Sequence, residues 1–212
     1  MAAVLLTGFQ ATTWIDPNPA AELIQMIDAE RQAFAPAIVH PIILPVDFEA
    51  APRELAAAVD CHAPEAIISF GVSCSRDMIC VERVGLNLDD SSSPDNAGVR
   101  RQGSRIVEDG PVGYWSTLDV DRTVAALQAG DLRAVASGYA GGHLCNHTLY
   151  TTLRLLATTQ RSHIKAGFVH VPPAPDQLQP DWPIPEGMTT RQLFEAAQVV
   201  VACCGLSAGP GG

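Results

Sequence analysis

The stretch RAVASGYAGGHLCNHTLYTTLRLLATT, Arg133 to Thr159, decides the fold. Its opening "RAVASG" is a short apolar run that breaks at the glycine-bearing turn "GYAGG". Beyond the turn, Leu149, Leu153 and Leu156 recur along one face of a helix that starts at about Cys145. Strand, glycine turn and helix make the unit of an α/β sheet, and the unit repeats in both directions. Upstream, "AVLLTGF" reads as a strand, and Leu23, Met26, Ile27 and Phe34 follow at helical spacing from Pro19, which suits a first turn. "AIVHPIILPV", "APRELAAAVD" and "EAIISFGVS" continue as strand, helix and strand, and "LDVDRTVAALQAG" is a helix closed by Gly130. Downstream, "AGFVHVPP" is a strand stopped by prolines, and "TTRQLFEAAQVVVACC" is a helix with a threonine cap.

This alternation predicts an α/β protein: a single-domain three-layer α/β/α sandwich, residues 1–206, around a mostly parallel twisted sheet, with residues 207–212 as a flexible tail. The segment from Asn87 to Trp115, full of Ser, Gly, Asp and Pro, interrupts the rhythm and reads as a hairpin or long loop over one edge or end of the sheet. The chain has 212 residues, 47% of them hydrophobic and 17% charged, which is a globular composition without an apolar run of membrane-spanning length. A net charge of −10 gives little attraction for phosphate backbones or anionic lipid, so neither nucleic acid nor membrane is expected as a partner. The opening residues lack a basic n-region, and the six cysteines are irregularly spaced. Both features point to the cytoplasm and to free thiols, mostly buried as small apolar groups.

Cys145 stands apart because it sits where a strand hands over to a helix, where open α/β sheets gather their reactive groups and where unpaired amides stabilise an anion. It could be a core residue, a nucleophile or a metal ligand beside His143 and His147. The metal reading is the weakest, because residues two apart on a helix do not face each other and no CxxC or HExxH pattern completes the set. No metal and no cofactor are expected. A nucleophile needs a base, and His170, inside the apolar strand "GFVHVPP", is the candidate. A carboxylate to orient the imidazole could be Glu82, Asp89, Asp90 or Asp95, each equally readable as a solvated loop charge.

Several stretches together resemble the pyroglutamyl peptidase I (pyrrolidone carboxyl peptidase) family of cysteine peptidases: "LLTGF" followed by "NPA", then "VERVGLNLDD", "PDNAG", "AGGHLCNH" and "GFVHVP", in the family's order. The resemblance implies a catalytic Glu82, Cys145 and His170, a peptide substrate with a blocked N-terminus, release of its pyroglutamyl group through a thioester, and a homo-oligomer. It also implies a substrate pocket around Phe9, Thr12, Asn18, Val72, Ser93, His143 and Leu144. Thr12 stands where the family has a second phenylalanine, and His143 where it has an aromatic residue two before the cysteine. Ser91, Ser92 and Ser93 replace an Ala-Arg-Ile. A wetter pocket disfavours a small lactam that relies on apolar burial and stacking, with Trp14 as a candidate replacement wall. The alternatives are a related thiol amidase of altered N-terminal specificity and a catalytically silent binding protein of the same fold.

Overall fold

The computed structural model describes residues 1–206; the tail expected at 207–212 lies outside the described residues. Four parallel strands form one side of a six-stranded sheet: β1 (Ala3–Phe9), β2 (Ile38–Leu44), β3 (Ala66–Val72) and β8 (Lys165–Val171). The remaining two, β4 (Ile79–Glu82) and β7 (Ala134–Ser137), are parallel to each other and antiparallel to β8, giving the order β2-β1-β3-β8-β4-β7. The seam where direction reverses is thin. Only Cys80↔His170 and Val81↔Val169 pair across it, against seven pairs between β3 and β8.

Helices α1 (Pro19–Ala29), α3 (Val120–Ala129) and α5 (Thr190–Cys203) cover one face, and α2 (Ala50–His62) and α4 (Leu144–Thr158) the other. Alternate residues of the strands point to opposite faces, so the sheet divides the apolar side chains into two clusters. Leu6, Ile68, Val81 and Val169 meet Leu23, Leu127 and Phe194 on the first face. Leu5, Ile67 and Phe168 meet Leu55, Leu149, Leu153 and Leu156 on the second. The three-layer expectation is borne out, as are the helix starts. Asn18 Oδ1 accepts the Ala20 amide at 2.9 Å with Pro19 in the first turn, and Thr189 and Gln192 close a reciprocal cap on α5.

Three local expectations change. The α-helix from Pro19 stops at Ala29, and Phe34 belongs to a separate 3₁₀ turn, Arg31–Phe34. The sequence reading leaves Ile79–Glu82 outside any element, yet these four buried residues form β4. They are too few to show a period, and the charged end residue masks a buried strand. In the middle segment, β5 (Val84–Leu86) and β6 (Gly113–Trp115) pair as a small second sheet, and the chain between them is irregular. Among the described residues, no helix is long and apolar enough to cross a membrane.

Candidate active site

The turn 138–143 brings the start of α4 to the face of β3 and β8. Gly142 has no room for a Cβ, which would stand 2.2 Å from the Asp90 carbonyl oxygen, and the Asp90 amide donates to the Gly142 carbonyl at 2.9 Å. The third residue of α4, Asn146, accepts the Leu86 amide at 2.8 Å and donates to the carbonyls of Leu86 at 2.9 Å and Leu88 at 2.8 Å. The helix start is thus fastened to the chain leading away from β5. Cys145, half-buried, packs against the cluster that includes Phe9, Leu144 and Phe168. A Cβ at Gly71, which pairs with His170 in the sheet, would lie only 3.0 Å from Cys145 Sγ and 2.7 Å from Phe168. Glycine at 71 keeps the sulfur's place open.

His170 and Glu82 face each other across the seam. His170 Nδ1 bonds Glu82 Oε1 at 2.8 Å, with both side chains buried. With Nδ1 committed, Nε2 is the ring nitrogen left free, and Cys145 is the neighbour that raises His170 most. Burial alone would push the imidazole down, but Cys145 and then Glu82 outweigh it and lift His170 to about 9. Burial likewise pushes the Glu82 carboxyl upward, and the His170 bond and charge, with Ser137 and Arg76, bring it below the ordinary carboxylate range. Arg76 Nη1 donates to the same Glu82 Oε1 at 2.7 Å and to Ser137 Oγ at 3.2 Å, while Nη2 donates to the Tyr139 carbonyl at 2.7 Å. Glu82 Oε2 is buried without a hydrogen-bond partner.

The other three candidate carboxylates divide. Asp90 is exposed, whereas Asp89 is fully buried, bonded to His147 Nδ1 at 2.9 and 3.1 Å and paired with Arg101. Asp95 is buried too, accepting the amides of Phe48, Ala97 and Val99 at 2.8 to 3.0 Å. Both hold the irregular segment in place because a buried carboxylate must find donors. The cysteines also depart from expectation: Cys80 and Cys204 are buried, but Cys61 is exposed and Cys74 and Cys203 are intermediate.

The residues expected around a substrate are spread between core and surface. Phe9, Val72 and Leu144 are buried. Thr12 is half-buried, its hydroxyl accepting the Ile15 amide at 3.3 Å, and Ser93 is exposed. Asn18 is buried, donating to the Gln10 carbonyl at 2.9 Å while it caps α1. His143 is not an exposed loop residue. It packs edge-on against Phe48 at 5.3 Å, burial holds its imidazole below the ordinary value, and its buried Nε2 has no partner. Trp14 is 42% exposed and lines a cavity of about 520 Å³ with Asp16, Glu22, Asp176 and Trp182, not with Cys145 or His170. Sequence reasoning missed Arg76, Asn146 and Gly71. A polar Asn on the buried side of an apolar helix was a usable signal for the second; the other two carry none in sequence.

The family model described as pyroglutamyl peptidase matches residues 2–204. The chain belongs to that family. Curated relatives within it include the pyrrolidone-carboxylate peptidase of Chromobacterium violaceum, 38% identical over 84% of this chain and 80% of that one. The Klebsiella pneumoniae enzyme of the same name is 35% identical over 94% and 92%. Among solved structures, pyroglutamyl peptidase I of Bacillus amyloliquefaciens superposes with a TM-score of 0.89 at 28% identity, over 97% of this chain and 98% of that one. Pyrrolidone carboxyl peptidase from Thermococcus litoralis gives 0.88 at 30%, over 96% and 93%. As a pyroglutamyl peptidase of the cysteine type, the chain carries its sheet, its seam and its irregular middle segment inside the family's fold.

Proposed function

We propose that this chain removes the N-terminal pyroglutamyl group from peptides, with Cys145 as nucleophile, His170 as acid and base and Glu82 as the group that orients the imidazole. The observation that carries this reading is the buried Glu82–His170 bond with the Cys145 sulfur beside Gly71, the residue paired with His170 in the sheet. The Cys145 thiolate attacks the pyroglutamyl carbonyl carbon, and the electron pair of that C=O moves to oxygen. As the tetrahedral intermediate collapses, the C–N bond breaks and the His170 Nε2 proton passes to the leaving amine. Water then gives a proton back to His170 and its hydroxide to the thioester, releasing pyroglutamate and restoring the thiolate–imidazolium pair. Glu82 holds the ring through Nδ1 and offsets its charge throughout. Residues 1–206 act as one domain in this reading, in the cytoplasm and as a homo-oligomer, which sedimentation of the purified protein would check.

The test is hydrolysis of pyroglutamyl, prolyl and free-amine aminoacyl reporter amides by wild type and by Cys145→Ser and Cys145→Ala. Wild type cleaves the pyroglutamyl reporter and neither variant does, while both keep the wild-type circular dichroism. Activity surviving in either variant removes Cys145 from its role.

A second reading, a thiol amidase of altered N-terminal specificity, is favoured by Thr12 and by the unpartnered Nε2 of His143 at pocket positions. On this reading wild type is a poor pyroglutamyl peptidase, and Thr12→Phe with His143→Phe improves it. An added aromatic wall contributes about 1 kcal/mol, or roughly fivefold in kcat/KM per wall. Impaired cleavage in both variants, from an already efficient wild type, excludes it.

A further inference from the structure

One cation serves both halves of the site. Arg76 lies between β3 and β4, and its guanidinium reaches the Glu82 carboxylate on β4, the Ser137 hydroxyl on β7 and the Tyr139 carbonyl in the turn that leads to Cys145. Only about a quarter of its side chain is exposed, 26%, and Glu82 is fully buried, so water does little to screen the pair. The two donors on Glu82, His170 Nδ1 and Arg76 Nη1, share Oε1, and Oε2 has no partner. Removing Arg76 therefore leaves a buried carboxylate with a single hydrogen bond. It also leaves the Tyr139 carbonyl with only the longer bond from Ser137 Oγ, 3.3 Å and two residues away in the same stretch.

We propose that Arg76 is a positioning residue of the reaction, keeping Glu82 ionised beneath His170 and tying the turn before Cys145 to β4. The inference rests on the roles proposed for Cys145, His170 and Glu82. The groups facing Glu82 are His170 from β8, Arg76 from the β3–β4 connection, Ser137 from β7 and Cys80 on its own strand. Arg76 and the imidazolium are the two positive charges among them. Burial is the strongest influence on Glu82 and acts upward, so losing one of those charges moves its titration toward neutral pH. When Glu82 takes up a proton, His170 loses the partner that stabilises its charged form, and the thiolate–imidazolium pair fails at the acid side. Arginine is suited to the task because its planar fork addresses a carboxylate and a carbonyl together, whereas lysine supplies the charge from a single atom.

The test compares wild type, Arg76→Gln and Arg76→Lys by the rate of iodoacetamide alkylation at Cys145, mapped by mass spectrometry from pH 4 to 9, and by kcat and KM on the pyroglutamyl reporter. Arg76→Gln should move the acid limb of the alkylation profile up by about one pH unit, the low end of the shift an opposite charge produces at this distance. Arg76→Lys should return that limb to within a few tenths of wild type. Its kcat should still fall, by about tenfold, with KM little changed, because the turn has lost its tie. Superimposable limbs in wild type and Arg76→Gln overturn the proposal. A rate lost equally in both variants with unmoved limbs also overturns it, since a purely structural residue behaves that way. If Arg76→Gln does not fold, Arg76→Lys decides: unchanged kcat overturns the bridging role. Alkylation needs no turnover, so a wild type inactive on the reporter sinks the substrate reading and leaves this one standing or falling on its limbs.

Discussion

His170 carries a proton further into the alkaline range than an ordinary imidazole, because Cys145 and Glu82 overcome the burial that would strip it. On the proposed mechanism that proton is the one the leaving amine needs, so kcat/KM on the pyroglutamyl reporter should hold through neutral pH and fall as the pH rises through about 9. In Glu82→Gln the fall should begin at lower pH, with the plateau reduced by about 100-fold, the usual yield of a well-placed acid–base group. A rate profile with the same alkaline limb in both proteins would remove Glu82 from the imidazole's support. Stability follows the same two groups with opposite signs. The raised His170 stabilises the fold fully below its ordinary 6.5 and loses that contribution as the pH climbs through about 9. The lowered Glu82 contributes above its ordinary 4.5 and loses its share as the pH drops below that value. Melting of wild type against Glu82→Gln should accordingly differ most between those two ordinary values.

Elements hold the site where single residues cannot. Gly71→Ala places a methyl carbon 3.0 Å from Cys145 Sγ and 2.7 Å from the Phe168 ring, and Asn146→Ala orphans the Leu86 amide and the Leu88 carbonyl, while the Leu86 carbonyl keeps the Leu88 amide at 2.8 Å. The first should cut kcat at least tenfold and cost about 1 to 3 kcal/mol of stability, since the added carbon crowds the buried Phe168 ring as well as the sulfur. The second should cost about 1 to 3 kcal/mol in denaturant unfolding, as expected when partly buried backbone groups lose their partners. A Gly71→Ala protein with wild-type kcat would mean that the sulfur has slack around it. Most helices and the long strands are legible in the sequence because an apolar period and a cap or a proline mark each one, as at Pro19, Thr189 and Gly130. β4 is not, because four buried residues ending in Glu82 have no period to read. Cys145 and His170 are legible from their places at a helix start and inside a strand. Glu82 comes from the family resemblance alone, and Arg76 from neither, because a lone arginine in a loop shows its partners only when the chain is folded.

At the scale of the molecule, the three groups of the site come from parts of the chain far apart in sequence, and both apolar clusters draw on the same central sheet. The site's three groups therefore rest on strands and a helix packed into both layers. Loss of activity on heating and loss of far-ultraviolet ellipticity should therefore coincide in one transition. An activity loss well below the melting of the helices would show the site to be a separately stable unit. The reversal of strand direction between β8 and β4 bears on that transition in a further way. Glu82 lies on one side of the seam and His170 on the other, and only two backbone pairings join them. A buried ion pair placed across the weakest line of a sheet acts as a rivet, and whatever protonates or displaces it loosens the two halves together. The chemistry of the site and the mechanical continuity of the sheet then share one fastening, which on the proposed mechanism is at its loosest while an acyl group sits on Cys145, because His170 has by then given its proton to the leaving amine.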